Sequence, residues 1–280
     1  DEAFQQKLLR MNTSQDLKVE LPTTFRAELR GYQREGFQWL AQRAHWGVGA
    51  CLADDMGLGK TLQALALLVH RAAQGPALVV APTSLGGNWL EEAHRFAPTL
   101  RCHWLTEGDR QSIVDNAEAF DVVVVSYGIL AREVELLSSR TWTTLILDEA
   151  QAIKNHATQR FQSVLKLNSD FRVLTTGTPV ENRLEELWAL FRFLNAGLLG
   201  SMESFRRRFV GPIEAGDEVS RGQLKSMILP FLLRRTKSQV LSELPPRTDV
   251  RLEVQLTPSE RTFYEALRAH ALEKLEGEQP

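Results

Sequence analysis

A short glycine-rich segment holds a lysine and a threonine in a pattern that binds phosphate. Gly57, Gly59, Lys60 and Thr61 stand in the run LADDMGLGKTLQ, after an apolar stretch and before a helix-forming one. Glycines let the backbone curl so that successive N–H groups converge on phosphate oxygens, and the start of the next helix adds its positive dipole end. Lys60 would neutralise the β- and γ-phosphates, and the Thr61 hydroxyl would ligate Mg²⁺. The predicted nucleoside triphosphate site comprises Asp54, Asp55, Met56, Gly57, Leu58, Gly59, Lys60 and Thr61.

Asp54 departs from the general pattern, because many phosphate-binding loops have their first glycine at that position. An ordinary glycine-rich turn between a strand and a helix is the alternative interpretation of the segment. The strand-like and helix-like patterns on either side favour the phosphate loop.

Two adjacent carboxylates, Asp148 and Glu149, follow the apolar run Leu-Ile-Leu and therefore leave the end of a predicted strand. In triphosphate hydrolysis, one carboxylate holds Mg²⁺ through water and the next polarises the water that attacks the γ-phosphate. Acidic residues also end strands as simple caps, so the pair alone is weak evidence. Together with the phosphate loop, it predicts hydrolysis with Lys60, Asp148 and Glu149 as the catalytic residues.

These residues require strand ends that meet, and the apolar pattern predicts such a scaffold. Continuous, β-branched runs are typical of strands that helices cover on both faces. The runs are GVGACLA (47–53), ALVVAP (77–82), DVVVVSY (121–127), TTLILDEA (143–150) and FRVLTTGT (171–178), with CHWL (102–105) as a shorter candidate. Helical patterns lie between them, clearest in residues 182–195. The sequence predicts an α/β fold with a doubly wound, mainly parallel sheet, whose ligands sit at the carboxyl ends of the strands.

The alternation of strands and helices stops after residue 195. Residues 196–240 predict short helices, as in SMESFRRRFV and GQLKSMILPFLLRR. Residues 249–256 alternate like a strand, and Thr257 and Glu260 form a capping box that begins a last helix.

Composition and charge limit the kinds of partner that can be expected for the chain. A net charge of −2 argues neither for nor against nucleic acid. Residues 201–240 carry eight Lys or Arg against four acids, which could meet a polyanion or form a solvated helix face. No apolar run approaches the ~18 residues of a membrane span, so no membrane partner is expected. Two cysteines fit a reducing interior, and six histidines show no zinc-binding spacing.

Several segments together resemble successive motifs of the SWI/SNF-type DNA translocases, which belong to superfamily two of the helicase-related ATPases. The motif segments are LADDMGLGKTLQ, VVAPTSLGGNWLEEAHRF, VVVVSYG, LILDEAQAIKN and LTTGTPVENRLEELWALFRFLN. LRGYQREGFQWL resembles the upstream glutamine motif, and PFLLRRTKSQVLSELPPR resembles the segment that closes the first lobe. The resemblance covers residues 29–267, and the order of the motifs is far more specific than any one of them.

The resemblance implies a role for each matching residue. Gln33 would read the adenine edge, since its amide offers both a donor and an acceptor; a plain surface glutamine is the alternative. DNA backbone contacts are implied for Pro82, Thr83, Ser84, Ser126 and Tyr127, with ordinary turn chemistry as the alternative. Coupling of the nucleotide site to DNA is implied for Gln151, Thr176, Gly177 and Thr178. Trp89 is expected to pack within the helix after the Thr83 loop.

Two departures from the family pattern matter. Gln151 stands where the family usually has histidine; it can still hydrogen-bond to the loop of Thr176 to Thr178, so altered coupling without loss of hydrolysis is expected. The chain also ends before any second lobe, whose arginines reach the γ-phosphate and are worth roughly 10³–10⁵ in rate. The 280-residue chain is therefore expected to hydrolyse ATP slowly or undetectably.

The resemblance implies the RecA-like first lobe of an ATP- and Mg²⁺-dependent translocase on double-stranded DNA, with a second lobe and a nucleoprotein target as partners. The expected organisation is a lead-in (1–28), lobe 1 (29–195), a helical insertion (196–240) and the end of lobe 1 with a connector (241–280). A nucleotide-binding interaction module and an RNA-directed helicase-type ATPase are the alternatives. The absence of a long lysine-rich nuclear-import run and the compact pattern favour a prokaryotic, nucleoid-associated protein of the cytoplasm over a nuclear one.

Overall fold

The computed structural model describes residues 10–11, 13–14, 17–106, 109–179, 183–240 and 257–277. The chain divides into two units, Asp1–Glu243 and Leu244–Pro280, and the first contains the sheet. All ladder pairings in the described part of the sheet are parallel. The predicted α/β fold with a doubly wound parallel sheet is therefore confirmed.

In chain order, the strands of the described residues are β1 (Ala50–Leu52), β2 (Ala77–Ala81), β3 (Arg101–Trp104), β4 (Asp121–Ser126), β5 (Thr141–Leu147), β6 (Asn168–Thr175) and β7 (Leu232–Leu233). These seven strands lie in the sheet in the order β3-β4-β2-β5-β6-β1-β7. Because the strands run in one direction, their carboxyl ends form one edge of the sheet, where the predicted site residues lie.

Helices connect the strands of the first unit. The helices around the sheet are α1 (Gly31–Trp46), α2 (Lys60–Arg71), α3 (Gly86–Phe96), α4 (Arg110–Asp115), α5 (Tyr127–Arg132), α6 (Val134–Ser138), α7 (Gln159–Lys166) and α8 (Leu184–Leu194). The helices that follow are α9 (Met202–Phe205), α10 (Gly211–Glu214) and α11 (Glu218–Ile228), with a π-helix at Arg206–Val210 between α9 and α10.

Two apolar cores lie on the two faces of the sheet. Strand β4 shows how one strand serves both, because Val122 and Val124 belong to one core while Val123 and Val125 belong to the other. Side chains alternate across a strand, so a strand buried on both faces needs apolar residues at every position. This is the physical reason that the continuous valine run predicted a covered parallel strand.

Helix α8 joins the sheet to a third apolar cluster. Leu190 and Phe193 pack in the core of the sheet, whereas Leu187 and Phe191 pack against Phe205 and its neighbours in the following helices. The apolar surface of this helix is therefore wide, because the helix is covered on two sides.

Residues 196–240 are mainly helical, with one correction to the prediction. The helix predicted in GQLKSMILPFLLRR ends at Ile228, and a 3₁₀ turn at Leu229–Phe231 contains Pro230. Proline cannot donate the backbone hydrogen bond that a helix interior needs. The chain then forms β7, which pairs with β1 in the register Cys51↔Leu232 and Leu52↔Leu233.

In the second unit, α12 runs from Pro258 to Gly277. The predicted capping box is present, since Thr257 N–H donates to Glu260 Oε2 at 2.9 Å and Glu260 N–H donates to Thr257 Oγ1 at 3.4 Å. The strand predicted at 249–256 lies outside the described residues. Across the described ranges, none of the helices combines the length and apolar character needed to cross a bilayer.

Candidate nucleotide-binding site

The phosphate loop and the acidic pair leave the sheet at the same edge. Strand β6 lies between β1 and β5, in the register Leu52↔Thr175 on one side and Leu147↔Leu174 on the other. Neighbouring strands lie about 4.8 Å apart, so the two segments leave the sheet roughly 10 Å apart. The fold therefore brings Lys60 and Asp148 to one site, although 87 residues separate them along the chain.

The phosphate loop turns through glycines that other residues could not replace easily. Gly57 has φ 85° and Gly59 has φ 75°, both in the left-handed region. A β-carbon on Gly59 would lie 2.4 Å from Gln33 Nε2, closer than a real contact allows. Helix α2 begins directly after this turn, at Lys60, so its unpaired N–H groups face the loop.

The Lys60 ammonium is held by carbonyls of its own loop. It donates to Asp54 O at 2.8 Å and to Asp55 O at 3.3 Å. These are neutral acceptors, which a triphosphate would replace with charged oxygens and stronger hydrogen bonds. A cavity of about 420 Å³ opens beside Gly59 and Thr61, with Asn88 and Glu92 of α3 in its wall.

The Asp54 side chain points into the protein and not towards the loop's interior. It is fully buried, and its two oxygens accept hydrogen bonds from Arg235 Nε at 3.0 Å and Nη2 at 2.6 Å. Leu58 is also fully buried, whereas Met56 is exposed. Of the residues predicted for the nucleotide site, Asp54 and Leu58 thus have their side chains packed inside the protein. Arg235, which holds the Asp54 carboxylate, was not among the predicted site residues.

Gln33 joins helix α1 to the phosphate loop. Its Oε1 accepts from Arg30 N–H at 3.0 Å, and its Nε2 donates to Leu58 O at 3.2 Å. The amide therefore has partners at both ends, in a position beside the loop. Contact of Gln33 with adenine stays a prediction.

Three groups donate to the Asp148 carboxylate, two of them from elements distant in sequence. Trp89 Nε1 donates to Oδ2 at 2.9 Å, Thr175 Oγ1 donates to Oδ1 at 2.5 Å, and Glu149 N–H donates to Oδ1 at 3.0 Å. Trp89 is buried as expected for a packing anchor, but its indole hydrogen bond was not predicted. Nor was the role of Thr175, since neither residue is near Asp148 in the sequence.

The donor set at this position fits Mg²⁺ that arrives with a nucleotide. A carboxylate has about four lone-pair sites, so the three donors leave Asp148 with one for a metal or its water. The Thr61 hydroxyl, on α2, adds a second hard oxygen. Elsewhere in the described ranges, no group of three or more His, Cys, Asp or Glu could form a metal cage.

Glu149 is placed by an unusual backbone conformation and by Gln151. Its φ of 47° and ψ of 58° lie in the left-handed region, which non-glycine residues rarely adopt. Glu149 Oε2 accepts from Gln151 Nε2 at 2.8 Å, and Gln151 Oε1 accepts from Thr176 Oγ1 at 3.2 Å. The hydrogen bond predicted from Gln151 to the Thr176 loop is therefore confirmed, and Gln151 bridges that loop to Glu149.

The loop of Thr176 to Thr178 touches both halves of the site. Thr176 N–H donates to Leu52 O at 3.2 Å, and Thr178 N–H donates to Thr176 Oγ1 at 3.2 Å. A β-carbon on Gly177 would lie 3.8 Å from Met56 N, so this glycine lies against the phosphate loop. This loop therefore connects the strand that leads into the phosphate loop with Gln151 and Glu149.

The residues predicted to contact DNA separate into two kinds. Thr83 and Ser84 are exposed, at the carboxyl end of β2. Ser126 and Tyr127 are buried, and both side chains bond within the protein: Ser126 Oγ accepts from Ile129 N–H, and Tyr127 Oη donates to Asp148 O at 2.8 Å. Burial, and then the charges of Asp148 and Glu149, raise the pKa of Tyr127 well above its usual value.

A groove runs beside these residues. Its volume is about 410 Å³, and its lining includes Pro82, Thr83, Glu149, Gln151 and the exposed Arg160. Arg160 is a cation that the motif pattern did not single out. The groove therefore joins the exposed part of the predicted DNA contacts to the acidic end of the nucleotide site.

Comparison with known proteins gives consistent matches. A family model described as SNF2-related domain matches residues 32–279. The chain is 44% identical over 255 residues to the putative ATP-dependent helicase/translocase YwqA of Bacillus subtilis, covering 87% of this chain and 28% of that protein. It is 36% identical over 272 residues to the chromatin-remodeling ATPase INO80 of Homo sapiens, covering 89% of this chain and 18% of that protein. The chain thus spans less than a third of the length of either relative.

Two solved structures share the fold. The Sulfolobus solfataricus SWI2/SNF2 ATPase core in complex with dsDNA has a TM-score of 0.77 and 38% identity, covering 94% of this chain and 57% of that one. A second structure, of the Sulfolobus solfataricus SWI2/SNF2 ATPase core domain, has a TM-score of 0.74 and 39% identity, covering 91% of this chain and 53% of that one. The sheet and its surrounding helices are thus those of a RecA-like ATPase core.

Proposed function

The chain belongs to the SNF2-related family, and from this membership we infer that it is the nucleotide-binding lobe of an ATP-driven motor that moves along double-stranded DNA. One observation supports this most directly: a single sheet edge carries the phosphate loop with Lys60, the Asp148–Glu149 pair and the loop that connects them. A decayed nucleotide fold would not need to keep three donors on Asp148.

The residues of the loop act first on the triphosphate. Lys60 leaves the carbonyls of Asp54 and Asp55 and pairs with the β- and γ-phosphates, while the N–H groups at the start of α2 donate to phosphate oxygens. Mg²⁺, when bound with the nucleotide at Asp148 and Thr61, supplies further neutralisation of the phosphate charge. Glu149 accepts a proton from the water that attacks the γ-phosphate.

Gln151 and the Thr176 loop carry the state of the nucleotide to the DNA side. The bridge from Glu149 through Gln151 to Thr176 borders the groove that also contains Thr83. Hydroxyls and N–H groups at strand ends suit contact with DNA phosphates without reading sequence. A solved structure of similar fold is a complex with double-stranded DNA, which supports DNA as the partner.

We further propose that a second lobe completes the active site. This chain covers 57% of the archaeal core structure, so a longer partner region is available in that relative. An arginine that reaches the γ-phosphate is worth roughly 10³–10⁵ in rate. The 280-residue chain by itself should therefore hydrolyse ATP slowly. A nucleoprotein is the proposed target of the whole motor, because one relative is a chromatin-remodeling ATPase.

The test is the steady-state rate of ATP hydrolysis by the protein with both lobes, measured with duplex DNA, with RNA and with neither. Stimulation by duplex DNA that vanishes in Lys60→Ala supports the translocase. Equal stimulation by RNA indicates an RNA-directed ATPase instead. Nucleotide binding without stimulated hydrolysis indicates an interaction module.

A further inference from the structure

A segment near the end of the first unit runs alongside the phosphate loop, and we call residues 232–237 the clasp segment. It starts with β7, and its pairing continues past the end of β1. Ala53 N–H donates to Leu233 O at 2.7 Å, and Asp55 N–H donates to Arg235 O at 3.0 Å. Lys237 N–H donates to Asp55 Oδ2 at 3.0 Å. The clasp segment thus follows the loop backbone residue by residue up to Asp55.

Arg235 is the side chain through which the clasp segment grips the loop. Its guanidinium forms a two-pronged pair with Asp54, and its backbone N–H also donates to Asp54 Oδ1, at 3.1 Å. Nη2 further donates to Gln63 Oε1 at 2.9 Å, and Nη1 donates to the carbonyl of Tyr32. The Arg235 side chain is 12% exposed and that of Asp54 is 0% exposed. The two charges are therefore largely shielded from water and neutralise each other.

The surroundings are shaped to receive this guanidinium. A β-carbon on Gly36 of α1 would lie 1.8 Å from Gln63 Oε1 and 2.7 Å from Arg235 Nη2. The Arg235 Cζ lies 5.4 Å from the centre of the Tyr32 ring, a cation–π distance. The same residue therefore ties α1 and α2 to the loop between β1 and α2.

The clasp segment contacts the two residues whose carbonyls bind Lys60. The ammonium of Lys60 donates to the carbonyls of Asp54 and Asp55. The Arg235 guanidinium holds the Asp54 side chain, and the Arg235 carbonyl accepts a hydrogen bond from the Asp55 N–H. The orientation of the loop carbonyls, and with it the position of Lys60, therefore depends on a residue 175 positions further along the chain.

We propose that Arg235 is a positioning residue of the nucleotide site: by holding Asp54, it fixes the phosphate loop in the conformation that presents Lys60 and the N–H groups to a triphosphate. The proposal rests on the proposed function, because it assumes that this loop binds ATP. It also assigns a purpose to Asp54, which stands where many such loops have glycine: the carboxylate anchors the loop to the clasp segment.

The test compares binding of a fluorescent ATP analogue with Mg²⁺ in the wild-type chain, Arg235→Lys and Arg235→Gln. Lysine keeps the charge but cannot make the two-pronged pair. We expect both variants to weaken binding by about tenfold or more, because neither side chain can replace the charge-assisted, two-pronged pair that holds Asp54. In the two-lobed protein, the loss should fall on KM more than on kcat.

Arg101→Gln is the matched control. Arg101 also pairs with a buried aspartate, Asp121, through Nε at 2.8 Å, although the Arg101 side chain is half-exposed, and it lies on the edge strand β3, far along the sheet from β1. This variant removes an arginine–aspartate pair without touching the loop, and its nucleotide affinity should stay within about twofold of the wild type.

A second variant separates positioning from folding. Arg235→Gln combined with Asp54→Asn removes both buried charges and leaves two amides that can hydrogen-bond, so it should recover part of the affinity lost in Arg235→Gln alone. Thermal melting is measured for every variant. If Arg235→Lys melts like the wild type and binds the analogue equally well, the positioning role is wrong. If the wild type shows no binding that Lys60→Ala removes, the proposed function fails as well.

Discussion

At the scale of single residues, Asp148, a carboxylate with a proposed catalytic role, is held in place by groups distant in sequence. Trp89 from α3 and Thr175 from β6 each donate to one of its oxygens. Such donors fix the rotamer of a metal-binding carboxylate and tune its basicity. Asp148 was predictable from the sequence, because an Asp-Glu pair after an apolar run is a local pattern. Its donors were not, because their proximity arises only from the fold.

Trp89→Phe should lower ATP hydrolysis by roughly tenfold, because phenylalanine keeps most of the packing and removes the indole donor. Steady-state kinetics at several Mg²⁺ concentrations would show a higher Mg²⁺ requirement. Trp142→Phe is the control, since that buried indole donates to Leu137 O, away from the site. Equal losses in the two variants would contradict the positioning of Asp148 by Trp89.

Gln151→Ala should reduce the ratio of DNA-stimulated to basal ATP hydrolysis by roughly tenfold. The variant removes both hydrogen bonds of the bridge between Glu149 and Thr176. Gln151→His, which restores the usual residue of the family, can still donate and accept and should keep most of the stimulation. The measurement is the hydrolysis rate with and without duplex DNA, and a parallel fall of both rates would argue against a coupling role.

At the scale of elements, the sequence predicted six of the seven described strands, including the edge strand β3, and missed the other edge strand, β7. Long runs of valine and leucine predict β2, β4, β5 and β6, because both faces of those strands are covered by helices and must be apolar. Strand β7 has only two residues, and its strand conformation comes from pairing with β1 rather than from its own pattern. The clasp segment escaped prediction for the same reason: its partners lie about 180 residues away.

The β3–β4 edge provides a pH-dependent element. Burial alone would raise the pKa of Asp121, but hydrogen bonds from Arg101, the Glu118 backbone and His103 outweigh it and lower the pKa from 3.8 to about 2. A carboxyl with a lowered pKa stabilises the fold above its ordinary pKa and loses that effect as the pH falls towards the lowered value.

Asp121→Asn should therefore destabilise the protein at pH 7 by about 1 kcal/mol, a modest value because Arg101 is half-exposed. The difference from the wild type should shrink as the pH falls from 3.8 to about 2. Urea unfolding at a series of pH values measures it. Glu118→Gln, at an exposed partner of Arg101, should show a smaller effect; a constant difference at all pH values would contradict the assignment.

The apolar cluster beyond α8 should behave as an integral part of the first unit. Phe205 is fully buried there, between α8 and the π-helix. Phe205→Ala should cost about 3–5 kcal/mol of unfolding free energy. Val219→Ala, at an exposed position of α11, should change it by less than about 0.5 kcal/mol. Denaturant titration distinguishes the two, and similar values would mean that the cluster does not contribute to the cooperative core.

At the scale of the whole molecule, the charges expected to meet DNA are local and not global. The net charge of −2 gives no general attraction to a polyanion. The exposed hydroxyls of Thr83 and Ser84 and the cation of Arg160 lie at the sheet edge that also carries the proposed nucleotide site. DNA bound through its phosphates at this edge would lie next to the proposed site of hydrolysis.

Arg160→Gln should weaken DNA affinity about threefold and reduce the salt dependence by roughly one released ion. Lys166→Gln is the control, because Lys166 is exposed at the opposite end of the same helix, α7. DNA affinity is measured by fluorescence anisotropy over a range of salt concentrations. The role of Arg160 is wrong if the two variants have the same slope.

The left-handed backbone at Glu149 lowers the stability of the fold at a residue that is proposed to act in ATP hydrolysis. Holding a residue other than glycine or asparagine in that backbone conformation costs about 1–2 kcal/mol of stability. Asparagine tolerates it far better, so Glu149→Asn should yield a protein that resists heating longer and no longer hydrolyses ATP. The strained conformation at Glu149 is thus a stability cost borne by the residue that we propose as the acceptor of the water proton.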